Sequence, residues 1–164
     1  MTHWEQIVNE YGLFVFRLAR RITGRDEDAE DVVQDVFAEI YEYQKREPIR
    51  EWRGLLRHKA TYRALDRIRR RRPAVSIDDV EIASRSHGPV QAAVPNELAT
   101  QLRSAIAELP RQQAAVFCLR YFDGLSNAEI SQSLGITSGA VATALHKAKY
   151  ALTLVFSEDK DGGS

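Results

Sequence analysis

Cysteine is nearly absent from this sequence, and so is anything a membrane would require. The single Cys118 among 164 residues rules out an internal disulfide framework, and one thiol with four scattered histidines cannot make a CxxC or C2H2 zinc site. No apolar run approaches the roughly 20 residues needed to cross a bilayer, and Glu5, Glu10 and several arginines stand where a signal peptide would be apolar. A cytoplasmic protein with no membrane insertion is expected. Catalytic signatures are missing as well: GxxxxGK[ST], HExxH, GxSxG and any carboxylate–histidine pair at ligand spacing. Isolated His58 and His146 read as surface or phosphate-contacting residues, so no enzyme, no cofactor and no metal is expected.

Strand alternation is also lacking. Apolar residues recur instead at spacings of three and four, and glycines fall at punctuation points: Gly12, Gly24, Gly54, Gly124, Gly135 and Gly139. With 44% apolar and 28% charged residues the composition is that of an ordinary globular protein. Chain length allows one domain burying roughly 70% of its unfolded surface, or two halves of about 70 residues each burying nearer 60%.

A formal net charge of zero conceals a sharp segregation. Met1 to Gln44 is net −6, whereas Lys45 to Arg72 is net +9 and ends in four consecutive arginines, Arg69 to Arg72. Pro73 to Asn96 is −2 and Glu97 to Ser164 is −1. Such separation suits two different partners, one basic and one a polyanion; mutual neutralisation of the two blocks is the alternative.

Pro73, Pro89, Pro95 and Gly88 without any sustained period mark residues 73–96 as a flexible linker. An all-α protein of two small helical domains, 1–72 and 97–157, with a disordered tail at 158–164, is therefore expected. In the first domain a helix runs from Trp4 to Ile22, interrupted or tilted near Gly12 and closed by Gly24. A second opens on Asp26, Glu27 and Asp28, where carboxylates favour the positive end of the helix dipole. It carries the stripe Ala29, Val32, Val33, Val36, Phe37, Ile40, Tyr41, opposite Asp28, Asp31, Gln34, Asp35, Glu39 and Glu42. A third helix, from about Glu51, points Leu55, Leu56, Ala60, Ala64, Leu65 and Ile68 inward and its arginines outward.

In the second domain Leu98, Leu102, Ala105, Ile106 and Leu109 define one helix stopped by Pro110, and Arg111 to Phe122 another. Ser126 with Glu129 is a capping box that starts a short helix, and Gly135-Ile136-Thr137 turns the chain into a last helix from Ser138, with Val141, Leu145, Ala148 and Leu152 inward. Short helix, glycine turn and second helix make a helix-turn-helix pattern, which fits DNA binding or an ordinary helical hairpin.

Three blocks, in order, carry a family resemblance. Asp28-Ala29-Glu30-Asp31-Val32-Val33-Gln34-Asp35-Val36-Phe37 resembles the polymerase-docking helix of bacterial sigma factors of the extracytoplasmic-function (ECF) group. Arg53-Gly54-Leu55-Leu56 through Arg63-Ala64-Leu65-Asp66-Arg67-Ile68-Arg69-Arg70 is similar to that group's promoter-melting segment. Leu109-Pro110, Leu119-Arg120-Tyr121-Phe122-Asp123-Gly124-Leu125-Ser126, Ala128-Glu129-Ile130 and Leu134-Gly135-Ile136 are similar to its C-terminal domain.

The resemblance implies a dissociable, non-catalytic subunit of RNA polymerase that directs the enzyme to promoters and helps open the duplex. It implies core RNA polymerase and promoter DNA as partners and is compatible with an anti-sigma factor. Asp31, Gln34, Asp35 and Glu39 would then face polymerase. Trp52, Lys59, Tyr62, Arg63, Arg67, Arg69 and Arg70 would meet the minus-10 region, arginines on phosphates and aromatic rings on unstacked bases. Ser138, Thr143, His146, Lys147 and Lys149 would meet the minus-35 region. Two departures stand out. Tyr62 occupies a position where many relatives have Asn, and Ala142 and Ala144 stand where relatives usually carry Lys and Arg. A stand-alone helix-turn-helix regulator and a helical regulator with weakened DNA binding remain as alternatives.

Overall fold

The computed structural model describes residues 2–71 and 93–162, and of residues 93–96 and 158–162 only the helical backbone. Among the described residues the regular structure is entirely helical: α1 (His3–Thr23), α2 (Asp26–Arg46), α3 (Trp52–Arg71), α4 (Ala93–Glu108), α5 (Arg111–Tyr121), α6 (Asn127–Leu134) and α7 (Ser138–Gly162).

Local chemistry sets most boundaries. At the start of α1 the Thr2 hydroxyl accepts from the Glu5 N–H at 3.1 Å while the Thr2 N–H donates to the Glu5 carboxylate, so two otherwise orphaned donors are satisfied. Gly24 ends the helix at φ +75°, its N–H donating to the Arg20 carbonyl at 2.8 Å. The expected interruption at Gly12 does not occur. A mid-helix glycine costs about 1 kcal/mol relative to alanine, and full burial of Val15, Leu18, Ala19 and Ile22 from the same helix outweighs it. In the second half, Ser126 and Glu129 form the expected reciprocal cap of α6, and Gly135 closes it at φ +69°.

Two boundaries differ from expectation. Helix α4 begins at Ala93, so residues 93–96 belong to a helix and not to the linker. Pro95 falls in its first turn, where the missing N–H has no intrahelical partner to lose. The remainder of the expected linker, 73–92, lies outside the described residues. Helix α7 continues to Gly162, through most of the segment expected to be a disordered tail, because nothing between Ser138 and Lys160 is a strong helix breaker.

Helices α1, α2 and α3 pack on one another, and α7 packs on α4, α5 and α6. In the first half Leu18, Ile22, Val32, Val36, Ile40, Leu56 and Leu65 are fully buried; in the second, Ile106, Val116, Leu119 and Ile130 are. The indole of Trp4 meets Phe37 and Tyr41 edge-on, with ring centroids 6.0 and 5.0 Å apart, leaving Tyr41 on the surface. Leu98, expected inward, is likewise exposed, since it lies in the first turns of α4 beyond the packed part of that helix. Helix α3 also lies against α4, α5 and α6, and the buried residues of both halves join into one cluster.

Candidate nucleic-acid interface

Helix α3 is the basic element, and its cations do not simply point outward. Across the α2–α3 groove Glu39 takes Lys59 on one carboxylate oxygen and Arg63 on the other, both at 3.0 Å. Arg67 reaches Asp31 at 3.3 Å and Asp35 at 3.6 Å, and Arg71 reaches Asp28 at 3.2 Å. The expected outward face of arginines is thus largely an inter-helix ladder. Two packed helices with apolar stripes inward bring their flanking charges face to face, and opposite signs pair. Burial raises the Glu39 carboxyl, but hydrogen bonds from Lys59 and Arg63 outweigh it and hold the group below the usual carboxylate range. The same contact raises the Arg63 guanidinium.

Of the cations singled out on α3, Arg70 alone is exposed without an ion pair among the described residues; Arg69 donates to the Leu109 carbonyl at 2.6 Å. Trp52 is half-buried beside His3 and Trp4, each ring centroid 6.4 Å away, where it anchors the start of α3. Tyr62 is half-buried, its ring 5.2 Å from that of His58 and 4.8 Å beneath the Arg111 guanidinium of α5. These residues line an open polar cleft of about 630 Å³ with Glu39, Lys59, Arg63, Asp66 and Gln112. Burial raises the Tyr62 phenol, against the lowering pull of Arg111, and burial with the Lys59 charge lowers the His58 imidazole.

On α2, Gln34 is exposed and has no partner among the described residues, Asp35 and Asp31 share Arg67, and Asp31 and Glu39 are partly covered by their partners. A surface patch therefore exists at Gln34 and Asp35, but it is less acidic than the segment arithmetic suggests.

Helices α6 and α7 form the helix-turn-helix. After Gly135 the chain turns at Ile136, and the Thr137 hydroxyl caps α7 by accepting from the Ala140 N–H at 3.0 Å. Ser138, Ala142, Thr143, His146, Lys147 and Lys149 are all exposed. Lys149 leans over the Tyr121 ring, its nitrogen 5.5 Å from the centroid. Ala144 does not join them. It is only 6% exposed and lies on the buried side with Val141, Leu145 and Ala148, so of the two alanines only Ala142 stands on the exposed face.

A further set of residues acquires its role only in the assembled fold. Asp123, in the turn after α5, pairs with Arg57 of α3 at 3.1 Å and with Arg21 of α1 at 2.8 Å. Arg103 of α4 donates to the Ile22 and Arg21 carbonyls, both at 2.9 Å, and Arg111 pairs with Asp66 at 3.3 Å. These partners lie 45 to 102 residues apart in the chain, beyond any local pattern. The faint signal was Arg103 itself, a cation beside the inward Leu102 and Ile106. Among the described residues no group of three or more His, Cys, Asp or Glu could hold a metal ion, and no helix is long and apolar enough to cross a membrane.

Comparison with known proteins gives this geometry a context. Residues 7–74 match Sigma-70 region 2, and residues 99–152 match Sigma-70, region 4. The chain is 31% identical to the ECF RNA polymerase sigma factor SigW of Bacillus subtilis over 89% of this chain and 84% of that one. It is 29% identical to SigE of Mycolicibacterium smegmatis over 93% of this chain, spanning 61% of that protein, and 28% identical to SigL of Mycobacterium tuberculosis over 93% and 88%. Its fold is similar to that of CnrH, solved in complex with the cytosolic domain of CnrY, with a TM-score of 0.59 and 20% identity over 95% of this chain and 88% of that one. Two regions matched in order along one helical chain, and likeness to SigW over most of both chains, lead to one conclusion: this protein belongs to the ECF group of sigma-70 family RNA polymerase sigma factors.

Proposed function

We propose that this protein is a promoter-recognition subunit that binds core RNA polymerase, directs it to promoters and helps melt the DNA, with no catalysis of its own. The observation that carries this reading is the presence in one chain of an arginine-lined helix α3 beside an exposed Gln34–Asp35 patch, followed by a capped helix-turn-helix. On this reading Asp31, Gln34, Asp35 and Glu39 meet polymerase. Lys59, Tyr62, Arg63, Arg67, Arg69 and Arg70 meet the minus-10 region, with Trp52 supporting the start of their helix. Ser138, Thr143, His146, Lys147 and Lys149 meet the minus-35 region, weakly, because Ala142 offers neither charge nor hydrogen bond. The protein acts in the cytoplasm, and a protein partner that keeps it from polymerase is compatible with this scheme.

The test is transcription by sigma-free core polymerase on a promoter library, with and without the protein. Specific start sites appearing only with the protein are expected. A chain that binds duplex DNA by itself but never activates polymerase would replace this reading with a stand-alone regulator.

A further inference from the structure

Helix α7 has two long faces, and the fold uses one of them. Val141, Ala144, Leu145, Ala148 and Leu152 are buried on the side that packs on α4, α5 and α6. On the opposite side Thr143, Lys147, Tyr150, Leu154 and Ser157 are all exposed, Tyr150 by 64% and Leu154 by 45%. Their spacings are four, three, four and three, and the helix carries the series one further step of four, to Asp161. That is the 3.5-residue repeat of a coiled-coil seam, set apart from the stripe that builds the core. Apolar side chains exposed singly are ordinary on a surface. Tyrosine and leucine at consecutive seam positions, with charges continuing the same repeat on either side, make a helix-pairing face whose helix is not in the chain's own fold.

The charges on this face select both the partner and its direction. Lys147 precedes the apolar pair, whereas Glu158 and Asp161 follow it, four and seven residues past Leu154 on the same side of the helix by register. A parallel copy would set lysine beside lysine and aspartate beside aspartate. An antiparallel copy brings the basic end of each helix to the acidic end of the other, so the face is complementary to itself. A formal net charge of zero leaves no overall repulsion between copies.

We propose that the exposed face of α7 is a self-association surface, on which a second copy of this chain docks its own α7 antiparallel. The helices cross near residue 152. Tyr150 then lies on the partner's Leu154 and Leu154 on the partner's Tyr150, Lys147 meets the partner's Glu158, and Thr143 meets the partner's Asp161. Two-fold symmetry makes every one of these contacts twice. The seam from Thr143 to Asp161 is about 27 Å long. That is short of a standard-sized interface, so the pair exchanges with monomer and forms as the protein accumulates. It rests on α7 alone and not on the promoter reading.

Sedimentation velocity of the full chain, at concentrations rising to the high micromolar, should show monomer passing into dimer. Leu154→Ser should raise the dissociation constant about tenfold or more, because it empties both central layers of the seam. Lys147→Glu and Glu158→Lys should each weaken pairing alone, and mixing the two variants should restore it, since both charged contacts return with their signs exchanged. Helicity by circular dichroism should be the same in all of them. Mild oxidation reads the register: Tyr150→Cys and Leu154→Cys should cross-link far faster when mixed than either does alone, while Cys118, fully buried, takes no part. A chain that stays monomeric at the highest concentration would overturn the proposal, as would dimers indifferent to Leu154→Ser. No rescue on mixing the charge variants, or self-linking of Leu154→Cys as fast as the mixture, would overturn the antiparallel seam. Transcription by the unaltered chain decides the promoter reading separately.

Discussion

Helices α3 and α7 are both candidates for DNA, and they present their charges in opposite ways. Helix α3 is rich in cations, but Lys59, Arg63, Arg67 and Arg71 are paired with carboxylates of α2, and Arg69 with a carbonyl. Helix α7 is poor in cations, but His146 and Lys147 stand exposed, without ion pairs among the described residues. Charge counted along a chain is therefore not charge available to a ligand. At every one of these α3 cations but Arg70 a phosphate must replace an existing partner, so net affinity is a difference between two similar interactions; for α7 each contact is a direct gain.

The sharpest way to test this contrast is at two alanines of α7. Ala144→Arg places an unpaired charge in the packed interior and should cost about 3 kcal/mol or more, read as a lower denaturant midpoint. Ala142→Lys, on the exposed face, should leave stability within about 0.5 kcal/mol and steepen the salt dependence of binding to an upstream-element duplex by about 0.9. Equal effects at the two sites would break the assignment of faces.

Next in size is the patch proposed to meet polymerase. Replacing Gln34 and Asp35 together by Ala should weaken co-purification with core polymerase about tenfold, while melting shifts little, since both are exposed and the Asp35–Arg67 pair is long at 3.6 Å. Unchanged retention on core polymerase would remove these residues from the interface.

Smaller effects separate free from engaged cations on α3. Arg70→Gln should flatten the salt slope of holoenzyme binding to promoter DNA by about 0.9 without touching stability. Glu39→Gln, which releases Lys59 and Arg63, should steepen that slope; a flattening would mean that both cations already reach phosphate past their carboxylate.

The smallest expected effect is a pH dependence at His58. Facing Lys59, Glu39, Tyr62, Arg63, Asp66 and Arg111, it is lowered by burial and then by Lys59, with Glu39 partly opposing. The folded chain thus binds this proton less readily than the unfolded one. Its contribution is intact above the ordinary histidine value near 6.5 and is lost as pH falls below it. In His58→Gln that shallow acid-side loss should vanish from urea melts between pH 7 and 5.

How much of this was legible in the chain depended on range. Caps and closures are local, so the Ser126–Glu129 box and the turns at Gly24 and Gly135 were readable, as were the inward Val36, Leu56, Ala64, Val141 and Leu152. Pro95 misled because a helix breaker ceases to break in a first turn. Periodicity says which stripe of a helix is apolar but not which helix lies across from the flanking charges, so Arg67 facing Asp31 was not foreseeable from either segment. Ala144 was misplaced because alanine marks neither face. Asp123, Arg103 and Arg111 matter through residues far away in sequence; Arg103 stands out as a cation beside Leu102 and Ile106, but the partners of all three emerge only in the assembled helices.

Cys118 lies fully buried in α5, and burial pushes its thiol up to about 12. At neutral pH it is neither ionised nor reachable, so a thiol reagent can react only when the surrounding helices come apart. The rate of that reaction is a built-in clock for unfolding of the second half. Because the clock stays silent in the native chain, cysteines introduced on the surface take a dye while Cys118 does not, and its later modification dates the moment at which the fold itself is lost.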